Sequence, residues 1–239
     1  FYPVWCELYG VDYRRLPLGA DFSVNVDDYA AGQGAVIIPN PNAPTGVVLA
    51  LADICRLLAA NPDAVVVVDE AYIDFGGDSA ASLIPDYDNL LVVQTLSKSR
   101  SLAGMRVGVA MGHAALIEGL ERVKNSFNSY PMDVVAQRAA LASLQDDEYY
   151  RLCCQRVIDS RERLARKLAG RGFEVLPSAA NFLFVRHPQV PAQELFAGLR
   201  ERGIIVRYFD KPRISEYLRI SIGTDADCDA LLQALGELL

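Results

Sequence analysis

The sequence predicts an α/β fold, in which a mainly parallel sheet with helices on both faces is followed by a small α+β domain at the C-terminal end. Short apolar runs at residues 35–38, 64–68 and 90–95 alternate with loops and amphipathic segments. This order is typical of parallel strands joined by helical crossovers. Four consecutive valines at residues 65–68 favour a strand that is buried on both faces, as parallel strands usually are.

The other elements follow from apolar spacing and from the positions of glycine and proline. Residues 132–169 are almost free of both and carry apolar residues at helical spacing, which predicts two helices with a break near Asp146. The other predicted helices are residues 2–9, 25–31, 50–60, 114–123, 192–202 and 225–238. The other predicted strands are residues 13–18, 106–109, 174–176, 182–185, 204–207 and 217–222. We place the domain boundary so that residues 1–169 form a large domain and residues 170–239 a small one.

Composition argues against several classes of protein. The chain has 239 residues, 51% of them hydrophobic, which is enough for a sizeable core. A net charge of -7 and the lack of a basic patch argue against nucleic acid as a partner. No apolar run approaches the length of a membrane span, so we expect no membrane association.

Cysteine and histidine usage narrows the class further. The five cysteines show neither metal spacing nor a disulfide framework, which fits reduced thiols and a cytoplasmic location. The two histidines, His113 and His187, are far apart in the chain. The sequence therefore supports neither a histidine-based zinc site nor a catalytic triad, and we expect no metal.

Reactive side chains gather at one predicted edge of the sheet. Asp69 directly follows the valine strand, and Lys98 follows the strand at residues 90–95. Open α/β sheets place ligand crevices at the carboxyl ends of their strands. The groups expected at this edge are an acid, a phenol, two hydroxyls, an amine and a guanidinium: Asp69, Tyr72, Thr95, Ser97, Lys98 and Arg106.

One cofactor requires all of these groups. A partly desolvated amine can attack a carbonyl, a carboxylate in a crevice needs a cationic partner, and a guanidinium with hydroxyls suits a phosphate. Pyridoxal phosphate carries an aldehyde, a ring nitrogen and a phosphate, so it matches this set. A competing interpretation makes residues 65–70 the magnesium-binding strand of a phosphate-loop ATPase, although no Gly-x-x-x-x-Gly-Lys-Ser/Thr occurs in these 239 residues.

The order and spacing of these motifs resemble one known family. Asp69-x-x-Tyr72, Ser97-Lys98 and an arginine eight positions after the lysine resemble the fold-type-I pyridoxal-phosphate aminotransferases. Within that family the sequence is most similar to the histidinol-phosphate aminotransferases. Further matching pieces are residues 40–46 (NPNAPTG), 126–131 (SFNSYP), 178–182 (SAANF) and 218–224 (LRISIGT). The resemblance runs from Phe1 to about Leu239, and it implies a chain that is truncated at its N-terminus.

The resemblance implies a cofactor role for each residue of the set. Lys98 would be the Schiff-base lysine and the general base, Asp69 would pair with the pyridinium nitrogen, and Tyr72 would bond the ring oxygen. The residues implied for the phosphate are Thr95, Ser97 and Arg106. The family's asparagine before Pro-Thr-Gly is Ala43 here, so Asn42 is the expected substitute; the alternative is that Asn42 only shapes the turn.

The resemblance also implies the substrate site and the reaction. Arg219 matches the arginine that holds the α-carboxylate, and Asn181 would support that carboxylate site. Arg207 matches the arginine that holds the substrate phosphate. The implied reaction is transamination of L-histidinol phosphate with 2-oxoglutarate by a homodimer. Alternatives are an aromatic amino acid aminotransferase or a threonine-phosphate decarboxylase of the same fold, and, from other classes, an ATP-binding α/β protein or a catalytically inactive interaction domain.

Overall fold

The computed structural model describes residues 2–29 and 34–239, which form two four-stranded sheets with helices packed against them. The strands are β1 (Val36–Pro39), β2 (Val66–Asp69), β3 (Leu90–Thr95), β4 (Gly108–Gly112), β5 (Glu174–Val175), β6 (Phe182–Arg186), β7 (Arg207–Tyr208) and β8 (Leu218–Ser221). The helices are α1 (Tyr2–Tyr9), α2 (Leu51–Ala60), α3 (Ala114–Phe127), α4 (Val134–Gln145), α5 (Asp147–Ala169), α6 (Ala192–Glu201) and α7 (Asp225–Leu238).

The first sheet is mixed and mainly parallel, as the sequence predicts. Its strand order is β1-β2-β3-β4, with β1, β2 and β3 parallel and β4 antiparallel to β3. Asp69 is the last residue of β2 and pairs with Val93 in β3. The parallel pairing therefore brings the carboxyl ends of β2 and β3, and the residues that follow them, to one edge.

Burial differs between the two faces of this sheet. Val66 and Val68 are buried in a core shared with α2, whereas Val67 is half-buried and Ile37 on β1 is exposed. The expectation that the valine strand is buried on both faces is therefore wrong for one of them. Within the residues that the structure describes, only the face toward α2 is fully covered.

The second sheet is antiparallel, and its two faces have different chemistry. Its order is β5-β6-β8-β7. One face contributes four buried residues to a core with α5, α6 and α7: Leu183, Val185, Leu218 and Ile220. Since side chains alternate between faces along a strand, the neighbouring positions lie on the opposite face. That face carries Phe182, Phe184, Arg219 and Arg207.

Helix α5 joins the two sheets through a buried arginine. Leu164 and Leu168 near its end lie in the core of the second sheet. Arg161, 5% exposed, donates to the carbonyl oxygens of Phe75 at 2.8 Å and Ala180 at 2.9 Å. Each carbonyl would cost about 1–3 kcal/mol if it were left buried without a donor. Arg161 therefore ties the two sheets together, while the domain boundary at residue 170 stays a prediction.

Most predicted elements are confirmed, and several have the predicted bounds. Helix α1, strand β3 and helix α7 begin and end where the sequence predicts, and a single non-helical residue, Asp146, separates α4 from α5. Helix α7 starts with a capping box, in which the Thr224 hydroxyl and the Asp227 carboxylate each accept from the other's backbone N–H. In the described residues, no helix has both the length and the apolarity to cross a bilayer.

Four predictions are wrong in whole or in part. Residues 13–18, predicted as a strand, form no regular structure, and β4 begins two residues after Arg106. The strand predicted at 204–207 lies instead at Arg207–Tyr208 (β7), so only Arg207 is common to the two. A single 3₁₀ turn (Val26–Tyr29) replaces the helix predicted at 25–31. Residues 30 and 31 of that prediction lie outside the described residues.

The two sheets also meet where the loop that contains Gly46 contacts the loop that contains Ser178 and Ala179. The Ala179 backbone N–H donates to the carbonyl oxygen of Gly46 at 2.9 Å. Gly46 has φ +82°, and a Cβ added there would lie 2.4 Å from Ser178 Oγ and 2.8 Å from Ser178 Cβ. Gly46 therefore meets two requirements at once, a left-handed backbone conformation and room for the facing loop.

We expect Gly46→Ala to destabilise the protein more than a glycine substitution that changes the backbone alone. The left-handed conformation costs an alanine about 1–2 kcal/mol, and the contact with Ser178 adds about 1–3 kcal/mol. Urea unfolding measures the sum. The matched control is Gly203→Ala, because Gly203 has φ +76° and nothing within 4 Å of an added Cβ. Equal losses in the two variants would contradict the tight contact.

Candidate active site

Asp69 is held in place from two sides at the edge of the first sheet. The Ala71 backbone N–H donates to Asp69 Oδ1 at 3.1 Å, and the Tyr2 hydroxyl donates to Asp69 Oδ2. Burial and the bond to Asp69 raise the pKa of Tyr2 above its usual value, so its hydroxyl stays a neutral donor. Sequence reasoning missed Tyr2, because only the packing of α1 brings it to a residue 67 positions away.

Lys98 lies in the turn after β3, beside Tyr72. Its ammonium is 5.4 Å from the centroid of the Tyr72 ring, within the range of a cation–π contact. The Tyr72 ring in turn meets the Phe182 ring edge-on at 5.1 Å. Lys98, Tyr72 and the second sheet are therefore in contact through one aromatic pair.

The segment after Lys98 is anchored to the helices by a polar cluster. The Ser99 hydroxyl donates to Asp74 at 2.5 Å. Burial and a hydrogen bond to the same carboxylate raise the pKa of Tyr150 on α5. The Arg100 guanidinium stacks 3.8 Å from the centroid of the Tyr150 ring. These contacts fix the turn that carries Lys98, and no local sequence pattern predicts them.

The residues expected to hold a phosphate are only partly brought together. Thr95 Oγ1 donates to Ser97 Oγ at 2.9 Å and accepts from the Ser97 backbone N–H at 3.1 Å. Arg106 is exposed, has φ +56°, and its guanidinium donates to the Ala103 carbonyl oxygen at 2.8 Å. The two hydroxyls therefore form a pair at the end of β3, while the joint role with Arg106 stays a prediction.

Asn42 makes its hydrogen bonds within its own loop. Its side-chain amide donates to Thr45 Oγ1 at 2.7 Å, and its backbone N–H and C=O bond Val47 and Gly46. These bonds shape the turn, which agrees with the alternative interpretation of Asn42. A contact of Asn42 with a cofactor remains a prediction, and Ala43 has no polar side chain for that purpose.

The two arginines expected to bind substrate lie side by side in the second sheet. Arg207 on β7 and Arg219 on β8 are direct partners in the strand register. They line an open cavity of about 320 Å³ together with Arg200, Tyr208 and Ser221. The buried Arg219 Nε has no hydrogen-bond partner among the described residues. A buried donor without a partner suits an anionic ligand at this position.

Asn181 lies immediately before β6, at the junction of the two sheets. Its backbone carbonyl oxygen accepts from Ile222 N–H at 2.9 Å, so it is tied to the end of β8. It also follows the loop that contacts Gly46. The position is close to both predicted halves of the site, and a substrate contact of its side chain remains a prediction.

The residues present fit pyridoxal phosphate. One edge of the first sheet carries an amine, a carboxylate whose oxygens are both oriented by donors, and a pair of hydroxyls. The facing sheet offers the unpaired Arg219 Nε. Across residues 2–29 and 34–239, no group of three histidine, cysteine or acidic side chains is arranged to hold a metal. The chemistry of the donor set is that of a cofactor with an aldehyde and a phosphate.

Comparison with known proteins identifies the family. The family model described as "Aminotransferase class I and II" matches residues 1–235. Histidinol-phosphate aminotransferase 2 of Dechloromonas aromatica is 62% identical over 239 residues, which are all of this chain and 67% of that protein. Histidinol-phosphate aminotransferase 1 of Pseudomonas fluorescens is 60% identical over 238 residues, or 68% of its length. The chain thus spans about two thirds of the length of these relatives.

The fold agrees with a solved structure from the same family. The histidinol-phosphate aminotransferase of Sinorhizobium meliloti, crystallised with pyridoxal 5'-phosphate, superposes with a TM-score of 0.88 at 24% identity. The alignment covers 99% of this chain and 67% of that one. The family model spans nearly the whole chain, including the valine strand, so the ATPase interpretation is set aside. The chain belongs to the class I and II aminotransferases and, among them, to the histidinol-phosphate aminotransferases.

Proposed function

We propose that this chain catalyses reversible transamination of L-histidinol phosphate with 2-oxoglutarate, giving imidazole-acetol phosphate and L-glutamate in histidine biosynthesis. One observation carries the proposal: the edge with Lys98 and Asp69 is joined by a ring contact to the sheet that carries two adjacent arginines, Arg207 and Arg219. Identities near 60% to histidinol-phosphate aminotransferases support the choice of substrate.

The cofactor side of the reaction depends on two residues. When bound, pyridoxal phosphate supplies an electron sink for negative charge at the substrate α-carbon. Asp69 would hold the proton on the ring nitrogen, and its carboxylate is oriented for this by Ala71 and Tyr2. A charge-assisted bond of this kind is worth about 1.5–3 kcal/mol. Lys98 would attach to the cofactor and, when free, would carry the proton to and from the α-carbon.

The substrate side depends on the arginine pair. Arg219 would hold the α-carboxylate of glutamate or 2-oxoglutarate, and Arg207 would hold the phosphate of histidinol phosphate. Guanidinium groups bind both kinds of anion in a bidentate manner. The arginine pair would bind the amino donor and then the oxo acid, and the bound cofactor would supply the carrier of the amino group between the two half-reactions. Thr95, Ser97 and Arg106 would hold the cofactor phosphate, Tyr72 would contact the ring oxygen, and Asn42 and Asn181 would have supporting roles.

We also propose that the enzyme is a homodimer of the cytoplasm. Large apolar side chains on α3, on α4 and between them are exposed, including Phe127 at 78% and Tyr130 at 93%. Exposed apolar surface of this kind is typical of a covered interface. All five cysteines are free, which suits a reducing compartment. Light scattering on the complete protein is expected to give the mass of a dimer, and a monomeric mass would contradict this part of the proposal.

Lys98→Ala is expected to abolish covalent attachment of the cofactor and to remove transaminase activity. The reason is that the amine is the only group proposed to bond the aldehyde. Borohydride reduction followed by peptide mass spectrometry locates the attached cofactor. The control is Lys124→Ala, because Lys124 pairs with Glu121 at 2.8 Å on α3. Cofactor found on another lysine in wild-type protein would rule out the role of Lys98.

Arg207→Ala is expected to weaken use of histidinol phosphate far more than use of histidinol, which lacks the phosphate. Losing a charged hydrogen bond of about 1.5–3 kcal/mol lowers kcat/KM about 10- to 100-fold for the phosphorylated donor only. Steady-state kinetics with the two donors tests this. Arg202→Ala is a matched control, since Arg202 pairs with Glu237 at 3.0 Å. Equal losses for both donors would remove the argument for a phosphate contact.

A further inference from the structure

The face of the second sheet that lies opposite its helical core alternates rings and guanidinium groups. Arg219 on β8 is the register partner of both Phe184 on β6 and Arg207 on β7. Phe209 follows Arg207 by two residues, which is the spacing that keeps two side chains on one face. The face is therefore built from residues of three adjacent strands and the segment after β7.

Phe209 is the ring that contacts both arginines. The Arg207 Cζ is 5.3 Å from the Phe209 centroid, and the Arg219 Cζ is 5.8 Å from it. A second ring, Phe182, lies 5.1 Å from the Arg219 Cζ on the side toward Tyr72. Arg219 thus lies between two rings, and one of these rings also contacts its neighbouring arginine.

This arrangement needs a physical reason, because two like charges directly opposite on paired strands repel each other. Neither guanidinium forms an ion pair with a carboxylate in the part of the chain that the structure describes. The face of an aromatic ring carries negative charge density, and a cation on it gains about 0.5–2 kcal/mol. Phe209 is half-buried, so this attraction acts in a partly desolvated setting.

We propose that Phe209 is a positioning residue that holds the Arg207 and Arg219 guanidinium groups together, ready for an anionic group of the substrate. The inference rests on the proposed function for the anion-binding role of the two arginines. It assigns Phe209 a role that acts through the two arginines. Its effect is to reduce the repulsion between the arginines before the anion arrives, so that less binding energy is lost in ordering them.

The test uses Phe209→Leu in the complete, cofactor-loaded enzyme, with inorganic phosphate as the probe. Leucine keeps an apolar side chain but removes the ring face. Calorimetry is expected to show phosphate binding weakened about 2- to 30-fold, which corresponds to the loss of a cation–π contact. KM for histidinol phosphate should rise by a similar factor, while kcat and the affinity for the cofactor stay within about twofold.

Two further variants separate positioning from stability. Phe209→Tyr keeps the ring and is expected to restore phosphate affinity close to that of the wild type. Phe173→Leu removes a ring of the same sheet's core, which packs on His187 at 5.0 Å, and it should leave phosphate affinity unchanged. The positioning role is overturned if Phe209→Tyr binds phosphate as weakly as Phe209→Leu does. It is also overturned if Phe173→Leu binds phosphate equally weakly.

The outcomes distinguish this inference from the proposed function. Wild-type phosphate affinity in Phe209→Leu overturns the inference and leaves the choice of substrate untouched. If the enzyme prefers a donor other than histidinol phosphate, but phosphate binding still falls in Phe209→Leu, the proposed substrate is overturned and the inference stands.

Discussion

The contact between one loop of each sheet is the constraint on which the geometry of the site depends. Lys98 and Asp69 belong to the first sheet, whereas the two arginines proposed to bind substrate belong to the second. The two sheets meet at Gly46, which leaves room for the loop at residues 178–181, and at Arg161, which donates to the Phe75 and Ala180 carbonyl oxygens. Each of these contacts depends on one residue, Gly46 or Arg161.

Aromatic rings connect the lysine of the first sheet with the arginines of the second, which are groups of like charge. The proposed site includes Lys98, Arg207 and Arg219, in a chain with a net charge of -7. Tyr72 and Phe182 stand between the lysine and Arg219, and they meet edge-on at 5.1 Å. Cations gathered at one place in an acidic protein attract anions, which supports the anionic substrates proposed above.

The errors of sequence reasoning have identifiable physical causes. Residues 13–18 carry a strand-like pattern, but a strand requires a neighbouring ladder, and no local window shows whether one is present. In the run at 204–207, Val206 is buried in the core, yet only Arg207 and Tyr208 pair with β8. The apolar run therefore located a strand approximately and missed which residues form its hydrogen bonds.

The sequence by itself determined the order of strands and helices, the carboxyl-end positions of Asp69 and Lys98, and the family. The element order and the two positions follow from apolar runs and from the rule that parallel strands end at one edge, whereas the family follows from the resemblance of the motifs in their order and spacing. Only the tertiary structure decided that Tyr2 donates to Asp69, that Ser99 is tied to Asp74, and that Phe209 contacts both arginines. Hydrogen bonds and ring contacts depend on distances between elements far apart in the chain, and packing alone sets those distances.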